Sequence, residues 1–212
     1  MEPKFMISEV FGTSWKHTKS QIWVLVGLFI GFSILSMIVT LFGMPAQGSI
    51  VGRVIVQIVS LLISCIFMLG YVKNIFQALD GEEPQFSAYG QQSRKIITYL
   101  IANILFSIAV CIGMVLLIIP GIYLYLRLQF FTAFIVEEDC GIIESLKKSW
   151  NMTQGQTLPL FLLLLTMIGT AIVGCILFFV GFFVAVPLIY MMQCYTFRKL
   201  NTISTEEEAQ QL

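Results

Sequence analysis

Arg127 stands alone in an apolar run, IYLYLRLQFF. A guanidinium keeps its proton and presents a planar fork of donors, so the chemistry open to it there is to bind an anion or to cap backbone carbonyls. At bilayer depth a lone charge costs about 2.5 to 3.5 kcal/mol on insertion scales, so the side chain must face a bundle interior or reach a headgroup. The nearest acids in sequence, Glu137 and Glu138, lie about 15 Å further along a helix, too far for direct pairing. Partners must come from other spans, which offer neutral groups such as Gln57, Asn103 and Gln193. Asn103 and Ser107 fall one turn apart on one helix face, and with Gln129 and Arg127 they make a candidate intramembrane polar site.

Other chemistry finds few residues to carry it. Glu82 and Glu83 are paired acids, but no histidine, lysine or nucleophile stands beside them, and Asp80-Gly81 marks their segment as a solvated turn. The chain has one histidine, His17, and five cysteines, four of them inside apolar runs. Neither a metal centre nor a disulfide framework is expected, and no cofactor. Cys140, in the polar loop EEDCG, has no base nearby in sequence. The formal net charge is zero, which leaves no electrostatic footprint for nucleic acid. The expectation is a protein that is not an enzyme.

The elements that must position these residues are membrane helices. Of 212 residues 58% are hydrophobic and 11% charged, with a mean hydropathy of +0.89. Apolar blocks run from Ile22 to Phe42, Ile50 to Tyr71, Ile96 to Val136 and Leu158 to Phe197. A bilayer takes roughly 20 helical residues to cross, so the last two blocks are each long enough for two passes. The fold class expected is all-α: a polytopic membrane protein with six transmembrane helices as three hairpins, each preceded by an interfacial amphipathic helix. Spans are placed at 22–42, 50–72, 94–113, 116–137, 157–178 and 180–199, with a polar tail over 201–212. The first span is read as an uncleaved signal.

Glycine and proline mark the hairpin centres: Gly43 and Pro45, then Gly113, Pro120 and Gly121, then Gly181 and Pro187. Dividing the long blocks evenly turns the chain near 113–117 and 174–181, which puts Pro120 and Pro187 in early turns of the outgoing helices, where a missing donor costs least. The rival division turns at Pro120-Gly121 and leaves a short fourth span. Pro120, Gly121 and Pro187 are therefore candidate hinge or kink positions. Gly27 and Gly31 form a GxxxG pattern that permits close helix approach. Lys4, Lys16, Lys19, Lys73, Arg94, Lys95, Lys147, Lys148, Arg198 and Lys199 all fall on one side of these spans, leaving Arg53 and Arg127. The positive-inside rule then places both termini in the cytoplasm.

The stretch ISEVFGTSWKHTKSQ, residues 7–21, repeats as IIESLKKSWNMTQGQ, residues 142–156, with identities at Ile7/Ile142, Glu9/Glu144, Ser14/Ser149, Trp15/Trp150, Thr18/Thr153 and Gln21/Gln156. Both read as amphipathic helices, over 5–20 and 141–155, ending just before a span. Ile7, Val10, Phe11, Ser14, Trp15 and Thr18 make one stripe in the first copy; Ile143, Leu146, Trp150 and Thr153 make it in the second. Trp15, Trp150, Ser14 and Ser149 are candidate interfacial anchors. A weaker third copy, QFSAYGQQSRK, spans 85–95.

The run IIPGIYLYLRLQFFTAFIVEEDCGIIESLKKSWNMTQG, together with ALDGEEPQFSAY, resembles a bacterial integral-membrane superfamily that includes the YciC-type inner-membrane proteins and the membrane domain of some glycerophosphoryl diester phosphodiesterases. The similarity extends over roughly residues 5 to 200. It implies a membrane module without the hydrolase, since the chain lacks the length and the histidines of a metal-dependent phosphodiesterase barrel. No catalytic residue carries over. The function expected is that of a non-enzymatic protein of the bacterial inner membrane, acting in envelope or lipid homeostasis or as an accessory subunit. The alternative is a transporter or channel for an anion or lipid built on Arg127 and the proline-interrupted helices. Expected partners are the lipid bilayer, with lipid headgroups or another membrane protein beyond it.

Overall fold

The structure, a computed structural model, describes residues 3–44 and 48–209. Pro45 of the first expected hairpin and the last three residues of the expected tail lie outside the described residues. Within them the elements are helical: α1 Ile7–Ser20, α2 Ile22–Gly43, α3 Ile50–Leu79, α4 Ser87–Gln92, α5 Ile96–Leu116, α6 Ile118–Leu128, α7 Phe131–Glu138, α8 Ile142–Met152, α9 Thr157–Ile176 and α10 Phe178–Ala209. A 3-10 turn, Ser93–Lys95, joins α4 to α5.

Among the described residues, five stretches are long and apolar enough to cross a bilayer: Ile22–Gly43, Ile50–Leu79, Ser87–Leu116, Ile118–Glu138 and Thr157–Ile176. Their outer faces carry exposed Ile34 and Met37 on α2, Val54 and Ile58 on α3, Ile104 and Ile108 on α5, and Leu162 and Leu165 on α9. An apolar band of that extent has no place in water. The protein is a multi-pass helical membrane protein.

Helices α2 and α3, α5 and α6, and α9 and α10 pack as neighbouring pairs. The second pair turns at Leu117, whose backbone is extended (φ −163°, ψ 147°), and the third at Leu177. Glycines let the arms meet. A Cβ on Gly113 would lie 2.9 Å from the Gly121 Cα, and one on Gly181 would lie 2.6 Å from the Gly174 carbonyl oxygen. Pro120 falls in the first turn of α6, where its missing N–H has no helical partner to lose. Pro187 instead lies well inside α10, because that helix starts directly after Leu177. The GxxxG glycines of α2 are not used for close approach: a Cβ on Gly27 or Gly31 meets nothing within 4 Å.

The short helices bind the pairs together cyclically. Each packs on the second helix of the preceding pair: α4 on α3, α8 on α6 and α7, and α1 on α10. They enclose the ends of α3, α7 and α10, where the core is densest. Leu69, Tyr71, Ile75 and Phe76 of α3 are buried, whereas the first half of that helix is exposed. The three helices meet in an aromatic cluster, with Phe197 of α10 4.8 Å from Phe134, 6.2 Å from Phe130 and 5.7 Å from Phe76, centroid to centroid.

Two local features differ from the sequence expectation. The fourth apolar stretch is two helices, broken at Gln129-Phe130. In α8 the buried face is Ser145, Ser149 and Met152, while Ile143 is 53% exposed, because hydroxyl groups rather than aliphatic ones are needed against that break. The tail remains helical as far as Ala209 as a continuation of α10.

Candidate functional site

The break between α6 and α7 frees backbone groups that would be costly to bury unpaired. Side chains from α8, α10 and the break itself take them. The Arg127 carbonyl accepts hydrogen bonds from Ser149 Oγ (2.9 Å) and Thr153 Oγ1 (3.1 Å), and the Phe130 N–H donates to Ser149 Oγ (3.2 Å). Gln193 Nε2 donates to the Gln129 carbonyl (3.1 Å), and Gln129 Nε2 to that of Leu126 (3.2 Å). The Ser and Thr of the repeated SWxxT pattern thus close a broken span. In the first copy Ser14 and Thr18 are equally buried, but their hydroxyls have no hydrogen-bond partner, since α10 runs unbroken past α1.

Arg127, in the last turn of α6, faces α8. Its guanidinium carbon lies 4.3 Å from the Trp150 ring centroid and 5.8 Å from that of Tyr123, and the two rings meet edge to face at 5.9 Å. The residue is 4% exposed, and Nε is buried without an acceptor. Among the described residues no carboxylate lies within ion-pairing distance of it. Trp150 is half-buried and is its partner, whereas Trp15 is 42% exposed beside α9 and α10 and has no cation over its ring among the described residues. The four residues grouped from the sequence are therefore divided. Ser107 lies on the exposed face of α5, Arg127 faces α8, and only Asn103 and Gln129 come together.

Asn103 and Gln129 line a cavity of about 480 Å³ inside the bundle. Tyr99, Tyr125, Thr132, Tyr190 and Gln193 add further hydrogen-bonding groups, and Phe29, Met68, Phe106, Phe131 and Met167 supply apolar walls. Among the described residues no charged side chain lines it. The two amides were legible as polar residues within spans. The tyrosines were not singled out, although a tyrosine inside a span carries a hydroxyl that needs a partner or a wet cavity.

Beyond the Phe76, Phe134 and Phe197 cluster, charged side chains gather. Acids at a helix C-terminus oppose the helix dipole, and α7 ends in Glu137 and Glu138 followed by Asp139, which takes a left-handed conformation (φ 54°). Cations from other elements compensate. Lys73 of α3 pairs with Glu137 at 3.0 Å, Arg198 of α10 pairs with Glu137 at 2.9 Å and binds Asp80 in bidentate fashion, and Lys148 of α8 pairs with Glu138 at 2.8 Å. Lys95 pairs with Asp139 and donates to the carbonyls of Ile135 (2.9 Å) and Val136 (3.0 Å). The hydrogen bonds from Arg198 and from Lys95 hold the carboxyls of Asp80 and Asp139 below the usual carboxylate range. Burial pushes the Cys140 thiol up, away from reactive thiolate chemistry. Sequence reasoning missed this cluster; its signal was the run EED ending an apolar block.

These features define a multi-pass membrane protein with a polar cavity in its helical bundle. By its sequence the chain belongs to the family described as Domain of unknown function (DUF7847), whose model matches residues 86–206, from the approach to α4 into the end of α10. The uncharacterized protein Rv2560 of Mycobacterium tuberculosis is 26% identical over 132 residues, 62% of this chain and 40% of that protein. The uncharacterized protein Mb2590 of Mycobacterium bovis matches with the same identity and coverage. The chain thus spans less than half the length of these relatives. No solved structure matches it.

Proposed function

We propose that this is a carrier-type protein of the bacterial inner membrane, which binds a solute in the central cavity and does no covalent chemistry. In this reading α10 is the sixth span, the spans form three hairpins, the short helices α1, α4 and α8 lie at the cytoplasmic face, and both termini are cytoplasmic. The observation that carries it is the cavity. Amide and phenol groups from α5, α6 and α10 face a shared space beside a broken helix, and helix breaks at membrane depth are tolerated where they are buried in protein or line a cavity. The anion-carrier version built on Arg127 gives way, because that residue is not in the cavity.

A second reading, a role in envelope or lipid homeostasis or as an accessory subunit, draws support from a groove of about 700 Å³ between α1 and the α9/α10 pair. Phe11 and Trp15 stand at one part of its lining, and Gly169, Gly174 and Gly181 give it a shallow apolar floor suited to an acyl chain. The resemblance to the YciC-type proteins and to the membrane domain of glycerophosphoryl diester phosphodiesterases agrees with either reading.

The test is a thermal-unfolding screen of the purified full chain against polyols, nucleosides and small amides, followed by flux measurements in proteoliposomes. A cavity ligand present at a hundred times its Kd should add about 2.7 kcal/mol of stability. That gain, and flux of the same solute, should be lost in Asn103→Leu and Gln193→Leu. A stabilising solute that acts equally on both variants, or no stabilisation and no flux across the panel, would overturn the carrier reading.

A further inference from the structure

The geometry points to a second site, independent of the cavity: Arg127, Trp150 and Tyr123 form a receptor for a phosphate oxyanion, supplied by the headgroup of a membrane phospholipid. A guanidinium stacked on an aromatic ring uses its faces, not its edge, and all five N–H groups lie in the plane. The guanidinium carbon of Arg127 lies over the Trp150 ring, 4.3 Å from its centroid, yet no described carboxylate or other acceptor pairs with its N–H groups, and Nε is buried unsatisfied. A buried cation left in that state is expensive in a low dielectric, so a fixed, aromatic-braced fork without an anion is an unfinished site. The backbone that aims it is itself fixed, because the Arg127 carbonyl is held by Ser149 and Thr153.

The source of the anion follows from position. Trp150 lies one turn along α8 from Lys147, which is exposed, and Tyr123 is 39% exposed on α6. A helix with lysines on one side and a tryptophan beside a span sits at headgroup depth, where phospholipid phosphates are the abundant anion. Arginine binds phosphate through two parallel N–H bonds, which lysine cannot reproduce. In the first copy of the repeat no cation among the described residues lies over Trp15, so it makes no such site.

The experiment is native mass spectrometry of the full chain in mild detergent with phosphatidylglycerol, with diacylglycerol as the phosphate-free control and inorganic phosphate as a competitor. The wild-type protein should retain phosphatidylglycerol and not diacylglycerol. Arg127→Gln should weaken retention about ten- to a hundredfold, the scale of one lost charge-assisted hydrogen-bonded contact. Arg127→Lys keeps the charge and guards against a folding defect; confirmed monodisperse by gel filtration, it should weaken retention several-fold, as should Trp150→Leu. Equal retention by wild type and Arg127→Lys, or equal binding of diacylglycerol, overturns the site. Displacement of the lipid by millimolar inorganic phosphate would keep the oxyanion receptor and overturn the lipid as its source.

Discussion

Ser149 and Ser14 occupy the same place in a repeated pattern and do different work. Ser149 both donates to the Arg127 carbonyl and accepts from the Phe130 N–H, so its removal orphans the buried Phe130 N–H and leaves the Arg127 carbonyl to Thr153 alone. Ser149→Ala should cost about 1 to 3 kcal/mol of stability, the usual penalty for leaving such groups unpaired. Ser14→Ala removes a buried hydroxyl that has no partner, and should leave the unfolding temperature unchanged or raise it. Thermal unfolding of the two variants in detergent decides the matter; equal losses would mean that the two copies do the same job. The repeat itself was legible in the sequence. The break it serves was not, because LRLQFFT contains neither glycine nor proline, and the hydroxyls that make the break affordable lie some twenty residues downstream on α8. Grouping Arg127 with Asn103, Ser107 and Gln129 overlooked helix faces: Arg127 and Gln129, two residues apart, point to opposite sides of the chain, and Ser107 lies on the exposed face of α5, so only Gln129 joins Asn103.

At the scale of elements, glycines determine where two helix pairs close. A Cβ on Gly121 would lie 2.5 Å from the Met114 side chain and 2.8 Å from its backbone nitrogen, and one on Gly174 would lie 2.6 Å from the short Ala185 Cβ and 3.0 Å from the Gly181 carbonyl oxygen, so in each case something that cannot simply swing aside is met. Gly121→Val and Gly174→Val should therefore splay their pairs and destabilise by about 1 to 3 kcal/mol, as overpacking does. Gly169→Ala, also on α9 but with nothing within 4 Å of its Cβ, should be silent or slightly stabilising through helix propensity. Loss of stability in Gly169→Ala to the same degree would show that the helices, not the contact points, are what glycine serves. The even division of the third apolar block agrees with the turn at Leu117. The equivalence drawn between Pro120 and Pro187 does not hold in depth, since one opens α6 and the other lies inside α10. From the sequence the two prolines are expected at the same early position, but the third pair turns at Leu177, further before its proline than the second pair does.

At the scale of the whole molecule, three helices carry the same sequence of layers. Along α7 and α10 the cavity-lining Thr132 and Gln193 come first, then Phe134 and Phe197, then Glu137 and Arg198; along α3 Met68 is followed by Phe76 and then Asp80. The cavity is thus sealed from one end by an aromatic layer, and that layer is clamped by ion pairs that join α3, α7 and α10. Opening the cavity on that side requires the clamp to part. Asp80 and Asp139 are held below the usual carboxylate range by hydrogen bonds from Arg198 and Lys95, and Glu9 is held low by hydrogen bonds from Lys199 and Tyr195. A carboxyl whose folded pKa is depressed stabilises the fold above its unfolded pKa of about 4 and loses that contribution as pH falls through the lower folded value. The unfolding temperature should accordingly be flat through neutral pH and fall below about pH 4. These side chains are partly exposed (46%, 70% and 40%), so water screens the pairs and the fall should be modest and smaller in high salt. Asp80→Asn should reduce the acid-side fall. An unfolding temperature that rises on acidification, or an acid profile identical in Asp80→Asn, would mean that the layer beneath the cavity is held by aromatic packing alone, with the charges as bystanders.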